Sequence, residues 1–224
     1  MATATKPRVY VIGTGGSISY VGSSRTDYIN YSYDNKHLTI QELLDRVPEV
    51  NDFADVRCEQ YMNVGSTDVG PEHWVGLAQR INQIFREDPD AAGVAVTHGT
   101  ATLEETSYFL NLTVKSRKPV VVTGAMRPPT GLGTDTDVNL IDCIRVAAAP
   151  QSAGHGVLTV LNNEIQAAME EPASKWGVKI SRVEVQDIAM PEDYQALLDI
   201  LDSAIKQQRE HTMGMLSNVQ YSAK

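Results

Sequence analysis

GVAVTHGTATLEETSYFL, Gly93 to Leu110, changes character twice within a short span. Gly93 to Val96 is small and β-branched, the composition of a buried strand. A polar knot follows, Thr97-His98-Gly99-Thr100-Ala101-Thr102, and then LEETSYFLNLTV resumes at helical spacing with Glu104 and Glu105 in its first turn. Strand, knot and helix make one βα unit, and the chain repeats the arrangement on either side. RVYVIG (Arg8 to Gly13), KPVVVTGAM (Lys118 to Met126) and GVLTVLNN (Gly156 to Asn163) read as further buried strands. Behind Pro71, EHWVGLAQRINQIFRE places Trp74, Leu77, Ala78, Ile81, Ile84 and Phe85 on one helical face, and NLIDCIRVAAA is helical as well. Alternating strands and helices imply right-handed βαβ units, hence an α/β domain with a mainly parallel sheet flanked by helices. Ligands of such sheets bind beyond the carboxyl ends of the strands, where the knots fall. Ser23 to Lys36, SSRTDYINYSYDNK, has no periodicity and reads as a long loop beside the first knot, of the kind that often serves as a lid.

Composition narrows the partners. A formal charge of -9 argues against a nucleic-acid partner, which calls for clustered Lys and Arg. At 224 residues and 42% hydrophobic, the chain can bury a sizeable core. Cys58 and Cys143 stand far apart, without CxxC spacing, and are expected as two buried thiols in a reducing cytoplasm. No run of about eighteen apolar residues and no signal-peptide pattern is present, so neither a membrane span nor export is expected.

The first strand ends in GTGGSIS, Gly13 to Ser19. Glycines let backbone N–H groups approach a ligand, and a hydroxyl among them can act as a nucleophile beside oxyanion-stabilising amides. A dinucleotide fingerprint is not completed, because Ile18 stands at its third glycine position. A tight βα turn would use the same glycines, and Thr100 followed by acids also resembles ordinary helix capping. A hydroxyl nucleophile needs a base, for which Tyr28, Tyr31, Tyr33 or a lysine are the candidates. Nothing in the spacing favours a Ser17/His98/Asp137 triad. His98 reads as a hydrogen-bonded structural residue, since no second metal ligand stands at ligand spacing, and no metal or cofactor is expected.

TGGSI (Thr14 to Ile18), NVGSTD (Asn63 to Asp68), THGTATLEETSYFLNLTV (Thr97 to Val114) and KPVVVTGAMRPPT (Lys118 to Thr130) together resemble the bacterial L-asparaginase/glutaminase family. They occur in order, at suitable spacing, over about Arg8 to Ala168, which corresponds to that family's larger N-terminal domain. The resemblance implies an amidohydrolase in which a hydroxyl attacks a side-chain amide, an acyl-enzyme forms, ammonia leaves and water regenerates the enzyme. The family's first threonine falls on Ser17 and its second on Thr100. Its loop tyrosine falls on Tyr33, judged by distance to LTIQELL, with Tyr31 as the alternative. Ser66 falls where the substrate carboxylate is held, and Gly65, Thr67, Gly99 and Ala101 complete the implied substrate contacts.

Departures from the family pattern bear on specificity. An aspartate that pairs with the substrate ammonium is replaced by Ala101, and the neighbouring glutamine by Thr67. A glutamate that the partner subunit's second domain would supply has no counterpart, since no second asparaginase domain is read here. An unpaired buried ammonium is costly, so the expected substrate is a carboxylate-bearing amide without a free α-amino group. The family's activating lysine has no match near Pro172-Ala173-Ser174, although Lys175 is close. Turnover is therefore expected to be impaired.

From about Ala168 the αβ rhythm breaks. KWGVK, RVEVQDI and PEDYQ resemble, in order, a segment of the stomatin/prohibitin (band 7) family, so the expected division is an asparaginase-like domain over 1–168 and a strand-plus-helix tail over 169–224. Tyr194, Leu197, Leu198, Leu201 and Ile205 recur at helical spacing in that tail. It is read as an amphipathic helix that packs on the αβ surface or pairs with another copy in a homo-oligomer. Two further readings compete with the enzyme. One is a catalytically silent module that binds a small carboxylate, and the other is an interaction protein acting through its tail.

Overall fold

The computed structural model describes residues 5–31 and 36–167. The first strand, β1 (Arg8–Gly15), lies one strand in from the edge of a six-stranded sheet. β2 (Asp55–Val64) pairs with it on one side and β3 (Ala91–Thr97) on the other, followed by β4 (Val120–Thr123), β5 (Val157–Leu161) and β6 (Glu164–Ala167). The order is β2-β1-β3-β4-β5-β6, with every pair parallel except the last. Strand order reverses between β1 and β3. Open α/β sheets take their ligands beyond the carboxyl ends of the strands at such a reversal.

Helices cover both faces. α1 (Ile40–Leu44) and α2 (Val50–Phe53) precede β2, α3 (Pro71–Glu87) precedes β3, and α4 (Leu103–Thr113) and α5 (Thr136–Ala148) follow β3 and β4. Strand alternation sorts the core into two halves. Val9, Val11, Ala95 and Val121 face Leu140, Cys143, Ile144 and Ala147 of α5 together with Ile40 and Leu43 of α1. Ile12, Val94, Val96, Val120 and Val122 face Trp74, Leu77, Ile81 and Ile84 of α3 and Leu110 of α4. The expected face of α3 is the buried one, with Phe85 only partly covered. Both central strands are covered on both sides, which is why they read as continuous apolar runs.

Local chemistry fixes several boundaries. Pro71 begins α3, where its missing N–H is not needed. Thr39 closes a capping box on α1: Glu42 N donates to Thr39 Oγ1 at 3.2 Å, and Thr39 N donates to the Glu42 carboxylate at 2.8 Å. Asn162 and Asn163, at φ 53° and 62°, form the two-residue turn between β5 and β6.

Only one of the two thiols expected to be buried is so. Cys143 is buried, and burial pushes its thiol pKa up, but Cys58 is exposed on the edge strand with its Sγ 3.2 Å from Gln41 Oε1. An edge strand has no neighbour to cover that position. No helix among the described residues is long and apolar enough to cross a membrane. The tail, 169–224, lies outside the described residues, as does Tyr33.

Candidate active site

Three loops leave the carboxyl ends of β1, β2 and β3 and meet at the reversal point. Gly15 and Gly16 take φ 106° and 85°, a conformation that favours glycine. The space around Gly16 is closed as well: a Cβ there would run into Gly99 Cα and N. A Cβ on Gly99 would in turn lie 2.7 Å from Ser66 Oγ. Gly16, Gly99 and Ser66 therefore touch, one from each loop. Ser17 and Thr100 each directly follow one of the two glycines in contact.

Hydrogen bonds lock this meeting point. Thr14 Oγ1 donates to Thr97 O at 2.7 Å, tying the first knot to the second. Thr102 Oγ1 donates to Ser66 O at 2.7 Å, tying the second to the β2 loop, and Gly16 N donates to Val64 O at 2.9 Å. Thr14, Ser66, Thr97 and Thr102 are all buried. The knot hydroxyls fall into two groups: those of Thr14 and Thr102 are buried and tie loops together, and those of Ser17 and Thr100 are partly exposed.

Ser17 belongs to the second group. It is partly exposed, and its Oγ lies 2.7 Å from the Tyr31 hydroxyl, either of which can donate. Tyr31 is delivered by the loop after β1. That loop is tied to the one after β4: Gly22 N donates to Thr130 Oγ1 at 3.0 Å, Leu132 N to Arg25 O at 2.9 Å, and Tyr28 OH to Leu132 O at 3.2 Å. Thr100, also partly exposed, starts a 3₁₀ turn, Thr100–Thr102, whose N-cap is Gly99. Neither that turn nor α4 has a side-chain cap bond, so the capping role that Thr100 resembles in sequence is not realised. Thr67 and Ala101 are exposed at the same rim, beside Gly65 at the end of β2.

His98 has another task. It is 0% exposed, with Nδ1 2.7 Å from Gly99 O and Nε2 2.9 Å from Thr106 Oγ1. A carbonyl only accepts, so Nδ1 carries the proton and Nε2 accepts from Thr106, whose oxygen accepts from Trp74 Nε1 at 2.7 Å. Burial drives the imidazole pKa from 6.5 down to about 4, against the opposing effect of the Gly99 bond. The ring is neutral, fully bonded and structural. Asp137 is held by Arg46 through two bonds of 2.9 Å, so no Ser17/His98/Asp137 triad exists. Burial also raises the carboxyl pKa of half-buried Glu105, with the charge of Glu104 adding to the effect.

A mostly parallel sheet with glycines and hydroxyls massed at its reversal point has the layout of α/β domains that take ligands beyond their strand ends. Comparison with known proteins makes the class specific. The family model described as "Asparaginase, N-terminal" matches residues 8–175. "L-asparaginase 2" of Bacillus subtilis is 45% identical over 162 residues, covering 72% of this chain and 42% of that protein. "Probable L-asparaginase periplasmic" of Haemophilus influenzae is 38% identical over 221 residues, covering 97% of this chain and 60% of that protein. Among solved structures, a probable cytoplasmic L-asparaginase from Campylobacter jejuni superposes with a TM-score of 0.70 at 38% identity, covering 74% of this chain and 49% of that one. The chain belongs to the asparaginase family, through that family's N-terminal domain. It spans about half the length of the curated relatives it matches. The match to the Haemophilus protein takes in most of the tail as well.

Of the expected site residues, Ser17, Gly65, Ser66, Thr67, Gly99, Thr100 and Ala101 lie on the loops that meet at Gly16, Gly99 and Ser66. At the tyrosine position, the described residue that meets Ser17 is Tyr31. The sequence signal for Tyr31 is weak, because three tyrosines crowd one aperiodic loop and distance along a loop does not fix which side chain turns inward.

Proposed function

We propose that this chain is an amidohydrolase of the L-asparaginase type, hydrolysing a side-chain amide to a carboxylate and ammonia. The observation that carries the reading is the 2.7 Å pair of Ser17 Oγ and Tyr31 OH, standing where the Gly16, Gly99 and Ser66 loops meet. Ser17 Oγ bonds to the amide carbon. Its proton passes to the Tyr31 oxygen as the phenol proton moves to the departing nitrogen, which leaves as ammonia and breaks the C–N bond. Water then adds to the acyl-enzyme and restores the Ser17 hydroxyl. Thr100, which follows Gly99 and makes no capping bond, is the second catalytic hydroxyl. Ser66, Gly65 and Gly99 receive the substrate carboxylate.

Ala101 and Thr67 present no charge to an α-ammonium. The preferred substrate in this reading is a carboxylate-bearing amide without a free α-amino group, with free asparagine turned over poorly. The two spaced cysteines suit a cytoplasmic setting. For residues 169–224, the band 7-like reading stays a proposal resting on KWGVK, RVEVQDI and PEDYQ, and a homo-oligomer built through that tail goes with it. Ammonia release that is lost in both Ser17→Ala and Thr100→Ala tests the activity. A folded chain that binds small carboxylates but releases no ammonia would make it a silent binding module instead.

A further inference from the structure

Tyr20 and His37 stand at the two ends of the loop that carries Tyr31, and neither has a part in the reaction derived above. Their rings meet with centroids 4.1 Å apart at a tilt of 36°, and the two residues pair as an antiparallel bridge. Backbone bonds close the neck of the loop around them: Val21 N donates to Lys36 O at 3.0 Å, and Leu38 N to Ser19 O at 2.7 Å. Asn63 fastens this neck to the site. Its carbonyl accepts from His37 Nδ1 at 3.2 Å, its Nδ2 donates to Leu38 O at 3.0 Å, and its Oδ1 accepts from Ser19 Oγ at 2.9 Å. The Tyr20 ring, 6% exposed, then meets Tyr31 with centroids 6.3 Å apart at a tilt of 58°. Three rings run from the neck to the reacting hydroxyl in the order His37, Tyr20, Tyr31.

Just before Tyr31 the loop is held by hydrogen bonds to the loop after β4 rather than by apolar burial, with Ile29 81% exposed. A phenol carried on such a segment would exchange rotamers unless something rigid met its ring. A tilted aromatic pair at this separation is a favoured contact, and a misplacement of about 1 Å in a reacting group costs on the order of 100-fold in rate. We propose that Tyr20, braced by His37, is a positioning residue that holds the Tyr31 phenol against Ser17 Oγ. This inference rests on the amidohydrolase reading for its kinetic consequence, but not for its geometry.

The test uses the full chain with Tyr20→Leu, Tyr20→Phe, His37→Leu, Tyr31→Phe and the Tyr20→Leu/Tyr31→Phe double variant, with kcat and KM taken from ammonia release. Tyr20→Leu is expected to lower kcat by about 10- to 100-fold with KM changed less than about threefold, while Tyr20→Phe, which keeps the ring, restores most of the rate. Acting only through Tyr31, Tyr20→Leu should add nothing to Tyr31→Phe in the double variant. Losses that multiply, or that fall on KM, overturn the proposal. Should Tyr20→Leu fail to fold, His37→Leu removes the brace from its more exposed side and is expected to lower kcat in the same direction. NMR of the tyrosine rings reads the same brace without turnover, so it separates failure of this inference from failure of the reaction. The Tyr31 ring signal should move toward its unfolded position in Tyr20→Leu and stay in place in Tyr20→Phe. An unmoved Tyr31 signal in Tyr20→Leu contradicts the proposal even in a chain that releases no ammonia.

Discussion

The Ser17 Oγ and the Tyr31 hydroxyl lie 2.7 Å apart, the separation of a well-formed O–H···O bond, although the two residues come from a glycine turn and a long loop. If this pair carries the proton of the reaction, Tyr31→Phe should lower kcat for ammonia release by about 10²- to 10⁴-fold. Ser17→Thr, which keeps a hydroxyl, should retain activity, whereas Ser17→Ala should not. Steady-state kinetics on the three variants decides it, and an active Ser17→Ala would remove Ser17 from the nucleophile's place.

Gly16 combines a φ of 85° with a Cβ position that the Gly99 backbone already fills. Gly16→Ala should therefore destabilise the chain by about 3 kcal/mol or more, from backbone strain of about 1–3 kcal/mol plus displacement of the Gly99 loop. Urea unfolding measures this. A Gly16→Ala midpoint equal to that of the native chain would show that the three loops do not meet as described.

The buried His98 ring predicts a specific acid sensitivity. Its folded pKa of about 4 lies below the unfolded value of 6.5, so the unfolded chain takes up a proton that the folded chain refuses. The stability that His98 contributes is complete above about pH 6.5, declines as pH falls toward about 4 and is then level, a loss of up to about 3 kcal/mol. Unfolding curves across that range should show the decline in the native chain, and His98→Gln should flatten it. An identical slope in both would assign the acid sensitivity to other groups.

Thr106 holds that network together by accepting from Trp74 Nε1 and donating to His98 Nε2. Thr106→Val leaves both ring nitrogens buried without partners and should cost about 2–5 kcal/mol in unfolding free energy, whereas Thr106→Ser should cost far less. Equal losses in the two variants would show that the methyl group, not the hydroxyl, matters.

Much of this organisation is legible before any coordinates. Four strands, three long helices and the parallel sheet follow from runs such as RVYVIG and from the spacing of Trp74 to Ile84, because central strands and amphipathic helices write their burial into the sequence. Two strands do not show. β2 carries no fully buried residue, so DVRCEQYMNV lacks the apolar signal of a strand. β6, EIQA, is short and mostly exposed, although the Asn162-Asn163 pair is a hairpin signal that could have located it. The knots at the strand ends are legible in the sequence from their hydroxyls and glycines, and the structure brings their loops together. Which hydroxyls tie loops and which stay partly exposed depends on the packing of Gly16 on Gly99, a contact between distant parts of the chain. The same limit applies to Tyr31 and to the bracing rings of Tyr20 and His37, whose partners lie across a loop neck.

The measurement that tests the central claim most directly is ammonia release from asparagine, glutamine and succinamic acid by the purified chain, beside Ser17→Ala and Thr100→Ala. Release that is fastest from succinamic acid and lost in both variants is the predicted result. A folded chain that releases no ammonia from any of the three, or variants that work as well as the native chain, would contradict it.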